Sequence, residues 1–288
     1  MNDKVELKPK SIGGYVDDNT IAIFCSAPDG YFGIFDPVKE IAKFCYDNGI
    51  ACHVDCNHSA FLLNFDDVHF TDSFEATFET EGITSIGCSL NKFGQGFSGV
   101  AVILYKTRIL RKSQYYCFFN WNGGMYASPN LAGSRYSSAV AASWTKMLAI
   151  GKSGYISKAN KVITATTRLR LDLSKQENID IVTPSTLSIL AFKLRQGDSY
   201  DLADYLRSKD FNVVNTINPA SISYTVTEAN AKASTKLADG IKEYIALYLN
   251  KSQLYEKEGT KKFYQNQASM KTFVETKHDL PYLMKKNE

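Results

Sequence analysis

The sequence predicts an α/β fold: a mostly parallel sheet over residues 1–155, a small α+β unit over 156–250 and a polar tail over 251–288. Three observations predict it. In the first half, short apolar runs alternate with a helical pattern, as in βαβ units. Near residue 155 the pattern changes to a basic amphipathic helix, followed by strand and helix signals in mixed order. From about Ser252 to Glu288 the chain is rich in Lys, Glu, Gln and Asn, too polar for a core and expected to be loosely attached or disordered.

The elements follow in order. Thr20–Ser26 carries Ile21, Ala22, Ile23 and Phe24 as a first strand, closed by the turn Ala27-Pro28-Asp29-Gly30. Asp36-Pro37 reads as an N-cap followed by a first-turn proline, and Glu40 complements the helix dipole. Val38, Ile41, Ala42 and Cys45 then share one helical face, and Asn48-Gly49 ends the helix. Ile50–Val54 is a short buried strand that stops at Asp55. Between Phe65 and Glu81, Phe70, Phe74 and Phe78 recur at helical spacing and read as packing residues. Gly82–Cys88 and Gly99–Tyr105 are two further strands.

The run from Asn120 to Arg135 is rich in glycine and serine and leads into a small-residue helix near Ser137. Such a loop lets backbone N–H groups approach an anion at a helix N-terminus, or else is simply a mobile surface loop. Trp121 and Trp144 flank it and favour a loop packed against something. Lys158–Leu173 is the basic helix. Strand signals follow at Thr186–Leu194, Phe211–Val214 and Ser221–Val226, with helices at Tyr200–Lys209 and Ala229–Leu249.

The chain has 288 residues, 44% apolar, 22% charged and 12% aromatic, which is ample for a globular core. A net charge of +3, mixed along the chain, argues against nucleic acid as a partner. No stretch approaches the roughly 20 apolar residues of a membrane span, and the charged first residues are unlike a signal peptide. The six cysteines, at 25, 45, 52, 56, 88 and 117, fall mostly in buried elements, which suits reduced thiols and a cytoplasmic location. Cys52, His53, Cys56 and His58 match no metal-ligand spacing, and no metal is expected.

Chemistry concentrates at two strand ends. His53-Val54-Asp55 and Asn91-Lys92-Phe93-Gly94 each sit where an apolar run stops, and ligands of parallel sheets gather at such carboxyl ends. A lysine and an aspartate delivered to one sheet edge are what pyridoxal-phosphate chemistry needs. The amine forms an imine with the cofactor aldehyde, and the carboxylate keeps the pyridine nitrogen protonated. Taken singly, each residue also has a plain reading, Asp55 as a turn residue and Lys92 as a solvated loop lysine.

Several segments taken together resemble the sphingosine-1-phosphate lyase family of pyridoxal-phosphate-dependent group II decarboxylases (fold type I). They are Ser26-Ala27-Pro28, Asp36-Pro37-Val38, His53-Val54-Asp55, Asn91-Lys92-Phe93-Gly94, Gly123-Gly124-Met125-Tyr126-Ala127-Ser128-Pro129 and Gly133-Ser134-Arg135. The similarity runs from about residue 15 to about 250. It implies that residues 1–155 are the C-terminal part of a large cofactor-binding domain and that 156–250 form the small C-terminal domain of a homodimer. Lys92 would be the Schiff-base lysine, Asp55 the partner of the pyridine nitrogen and Asn57 a residue against the ring face. Ser89 and Asn91 would be further cofactor contacts, and Tyr105, Gly133 and Ser134 would be cofactor contacts near the phosphate or contacts across the dimer.

The implied reaction is retro-aldol cleavage of a phosphorylated sphingoid base to a long-chain aldehyde and phosphoethanolamine. The same chemistry admits an amino-acid decarboxylase, and a non-catalytic dimer partner is a third reading. Two departures accompany the resemblance. Asn91 stands where the family has histidine and cannot shuttle a proton near neutral pH. The family's phosphate-cradling segment and ring-stacking histidine lie upstream of the matched stretch, so the large domain is expected to be incomplete here.

Overall fold

The computed structural model describes residues 9–63, 74–183 and 187–249. After a 3-10 turn at Pro9–Tyr15, β1 (Ala22–Ser26) leads through α1 (Val38–Asp47) to β2 (Ala51–Asp55). A crossover helix returns the chain parallel to itself, so Ala22 pairs with Ala51 and Ser26 with Asp55. Val38, Ile41, Ala42 and Cys45 are the buried residues of α1, the face that their spacing predicts. Gly49 takes φ +67° just past the helix, and the Ile50 N–H returns to the Cys45 carbonyl at 2.9 Å. Asp36 does something other than cap α1. Its Oδ2 accepts from the Ser26 backbone N–H at 2.7 Å, tying the helix entry to the end of β1.

A short α2 (Ala60–Leu63) follows β2, and β3 (Ile83–Ser89) pairs parallel with β2. Phe74 and Phe78 pack on the first core from irregular chain, with no helix between them. Phe70 lies outside the described residues. β4 (Ala101–Tyr105) is antiparallel to β3, because residues 90–100 are too short a link for a crossover helix. The sheet order is β1-β2-β3-β4, three strands parallel and one edge reversed.

Beyond it come α3 (Arg108–Lys112) and a hairpin of β5 (Tyr116–Phe118) and β6 (Tyr126–Ser128). Trp121 and Trp144 are 53% and 61% exposed, so the packing expected of this loop is absent among the described residues. The two predicted helices around residue 150 are one element, α4 (Ser137–Ser174), broken at Gly151 with φ +64° and ψ 174°. Past the break, Tyr155, Ala159, Val162, Thr166, Leu169 and Leu173 are buried on one face.

β7 (Ile179–Ile181), β8 (Ile189–Leu194), α5 (Ser199–Ser208), β9 (Val214–Ile217), β10 (Ala220–Thr225) and α6 (Ser234–Tyr244) complete the described chain, with a π-helical turn at Ile245–Leu249. The second sheet is antiparallel throughout, in the order β7-β8-β10-β9. β9 lies later than the predicted Phe211–Val214 strand. Val213 packs into the core just ahead of it, and the apolar signal ran together with that residue.

Two cores result. Cys25, Val38, Ile41, Cys52, Val54 and Ile83 fill the one beneath the first sheet. Leu169, Leu190, Phe192, Leu202, Leu206 and Ile222 fill the other, and Leu62 of α2 joins them, with Leu63 packed against it, although α2 follows directly on β2 of the first sheet. Cys25, Cys45, Cys52 and Cys56 are buried free thiols, Cys88 is half-buried and Cys117 exposed. Among the described residues no helix is long and apolar enough to cross a membrane. The predicted tail lies outside them.

Candidate active site

The site is built where β2 and β3 end. Asp55 is the last residue of β2, and Lys92 lies three residues beyond β3. Asp55 is fixed by its neighbour: the backbone N–H of Asn57 donates to Oδ1 at 2.8 Å and the Asn57 side-chain amide donates to Oδ2 at 3.0 Å. Asn57 Oδ1 in turn accepts from the Ser89 backbone N–H at 2.6 Å. One asparagine therefore links the ends of both strands and sets the direction of the carboxylate.

The Lys92 loop is pinned from the other side. Tyr155 donates to the Gly94 carbonyl at 2.7 Å, and Ser143 Oγ accepts from the Phe97 N–H at 2.9 Å, both from α4. At Gly94 a Cβ would come within 2.8 Å of the Leu90 carbonyl oxygen and of the Phe61 ring, so the tight passage requires glycine.

Asp55, Asn57, His58, Asn91 and Lys92 line a single cleft of about 1140 Å³ between the two sheets, closed on the far side by Lys158, Lys161 and the segment Thr227–Ala229. Its size suits a cofactor plus substrate. Ser89 acts on it only through Asn57. Tyr105, at the end of β4, and Gly133 and Ser134, in the exposed loop before α4, do not line it.

Three groups in the cleft went unassigned in the sequence. His58 is only 7% exposed, sits edge-on to Phe93 with ring centroids 5.8 Å apart, and its Nδ1 has no partner among the described residues. Burial and then the nearby Lys92 charge depress its pKa to about 4, against the pull of Asp55 and Asp29. The other two are Glu228 and Lys158. The carboxylate accepts from the ammonium, and this contact, with Gln95, holds Glu228 below the usual glutamate range. A basic helix at Lys158–Leu173 was legible; its acidic partner, 70 residues away, was not.

The His58 shift has a consequence for stability. The unfolded imidazole takes up its proton near pH 6.5 and the folded one only near 4. Stability from this group is therefore full above about pH 6.5 and is lost as pH falls towards 4, by up to roughly 3 kcal/mol. His58→Leu is expected to flatten that part of a urea-denaturation pH profile. An unchanged slope would show that another group carries it.

No family model matches the chain. Sphingosine-1-phosphate lyase of Arabidopsis thaliana is 31% identical over 218 residues, covering 76% of this chain and 40% of that protein. The Dictyostelium discoideum sphingosine-1-phosphate lyase is 30% identical over 255 residues, covering 88% and 48%. Among solved structures, sphingosine-1-phosphate lyase of Burkholderia pseudomallei superposes with a TM-score of 0.77 at 21% identity, over 96% of this chain and 61% of that one. Glutamate decarboxylase of Lactobacillus brevis superposes with a TM-score of 0.72 at 18% identity, over 85% and 59%. The chain thus spans less than half the length of these two curated relatives and about three fifths of these two solved ones. Over most of its own length this chain is similar to the sphingosine-1-phosphate lyases, and it shares the fold of the solved structures named above, that of type I pyridoxal-phosphate enzymes.

Proposed function

We propose that this chain holds the lysine and carboxylate of a pyridoxal-phosphate site and contributes to carbon–carbon lyase activity on a phosphorylated sphingoid base. The observation that carries the proposal is the meeting of Asp55 and Lys92 in one cleft at the ends of neighbouring parallel strands. The residues fit the group: an oriented carboxylate and a primary amine share a space large enough for it. Bound there, the cofactor supplies an electron-accepting ring for the pair released when the substrate C2–C3 bond breaks.

Everything else falls to the protein. Asp55 would hold a proton on the pyridine nitrogen, and Asn57 keeps that carboxylate in line. Lys92 would hold the cofactor through its amine, and the same amine, when free, could hold or deliver a proton. Asn91 offers an amide hydrogen bond but no titrating proton. Ser89 positions Asn57, and Tyr105, Gly133 and Ser134, which do not line this cleft, are read as contacts near the cofactor phosphate or across the dimer.

Residues 1–155 are read as part of a large domain and 156–250 as a small one, in a cytoplasmic homodimer. The exposed aromatics Tyr116, Phe118, Phe119, Trp121 and Trp144 support the dimer. The direct test is borohydride reduction of the chain after incubation with pyridoxal phosphate, followed by peptide mapping. A pyridoxyl mass on Lys92, lost in Lys92→Ala, is the expected result. Labelling of Lys158 or Lys161 instead, or none, would overturn the assignment.

A further inference from the structure

Lys158 and Lys161 lie one turn apart on α4, across the same cleft from Lys92. Both face Glu228. Lys158 Nζ and Gln95 Nε2 donate to Oε2, the latter at 2.9 Å, and Lys161 Nζ lies 3.7 Å from Oε1. Three donors from two distant segments thus converge on one oxyanion. The Lys158 and Glu228 side chains are 26% and 33% exposed, so their charges are only partly screened.

The charges do not balance. Two ammonium groups face one carboxylate, leaving a surplus positive charge at the donors' focus. A second carboxylate in place of Glu228 would leave the same surplus, whereas a phosphate monoester carries close to two negative charges near neutral pH and three acceptor oxygens. The Glu228 side chain can also leave without dismantling its turn. Asn230 holds that turn independently, accepting from the Thr227 N–H at 2.7 Å and donating to the Thr225 carbonyl at 2.9 Å.

We propose that Lys158, Lys161 and Gln95 form a phosphate-monoester site in this cleft, with Glu228 as a resident counter-ion that the ligand displaces. This deepens the reading of the cleft given above, and its test is independent of imine formation. The phosphate belongs either to the cofactor or to a phosphorylated substrate, which the same measurement separates.

The experiment is calorimetric titration of the full chain, and of a Lys92→Ala background, with O-phosphoethanolamine, ethanolamine, pyridoxal phosphate and pyridoxal. O-phosphoethanolamine is expected to bind and ethanolamine not to, with Lys92→Ala leaving that arm unchanged. Lys158→Gln/Lys161→Gln is expected to weaken phosphate binding about tenfold or more, and Glu228→Gln to tighten it several-fold, since one repulsive charge is removed. If only the pyridoxal phosphate arm responds, the phosphate is the cofactor's; if only the phosphoethanolamine arm does, it is the substrate's. Either supports the site provided that the response persists in the Lys92→Ala background, and no response in either phosphate arm overturns it. A double-lysine variant that melts like wild type and binds equally well overturns it. So does a Glu228→Gln variant that binds no more tightly, and this milder change decides the matter should the double variant fail to fold.

Discussion

Asp55→Asn is expected to weaken pyridoxal phosphate binding by about 10- to 100-fold with little change in folding. The proposed contact is a charge-assisted hydrogen bond to a protonated ring nitrogen, worth roughly 1.5–3 kcal/mol. Asparagine keeps the size and one acceptor oxygen, so Asn57 retains part of its bracket on the strand ends. Asp55→Ala would release Asn57 as well and confound charge with geometry. Spectrophotometric titration with the cofactor is the measurement, alongside thermal melting as the control. Equal affinity in Asp55→Asn and wild type would mean that the carboxylate does not meet the ring nitrogen.

Gly82→Ala is expected to cost the fold at least about 3 kcal/mol, a large share of a typical domain's stability of roughly 5–15. Gly82 starts the turn into β3 with φ +95°, and an added Cβ would sit 2.0 Å from the Ala42 carbonyl oxygen on α1. Both the helix and the strand are fixed by the first core, where Ala42 and Ile83 are fully buried. Neither can yield without opening it. Gly99→Ala is the matched comparison: φ is +83°, yet nothing lies within 4 Å of the added atom. It should cost only the backbone penalty of about 1–2 kcal/mol. Urea midpoints that coincide for the two variants would rule out the helix contact as the cause.

Much of this architecture was legible because its signals are local. The face of α1, the glycine after it, the strand ending at Asp55 and, to within a residue at each end, the strand at Gly82–Cys88 all follow from spacing and turn chemistry over a few residues. The site was legible only in part. Strand ends placed Asp55 and Lys92 at one sheet edge, but Asn57's bond to the Ser89 N–H depends on the β2–β3 register. Asp36 misled for a related reason. Its sequence context is that of a helix cap, and only the parallel pairing brings the Ser26 N–H into competition. The Glu228 contact needs the second sheet to be in place before Glu228 has a neighbour at all. β7 and the β5–β6 hairpin have three-residue strands, shorter than any periodicity can register.

Leu62 bears on how the cleft can admit a ligand. It is rooted four residues past His58, in the wall carrying Asp55 and Asn57, yet its side chain is buried in the hydrophobic interior of the opposite body. Swinging the two bodies apart would expose that side chain, at about 1.5–3 kcal/mol, and would pull Tyr155 away from Gly94. The bodies are stapled across their seam. A hinge opening of the cleft therefore carries that cost, whereas a movement of single side chains at its rim does not.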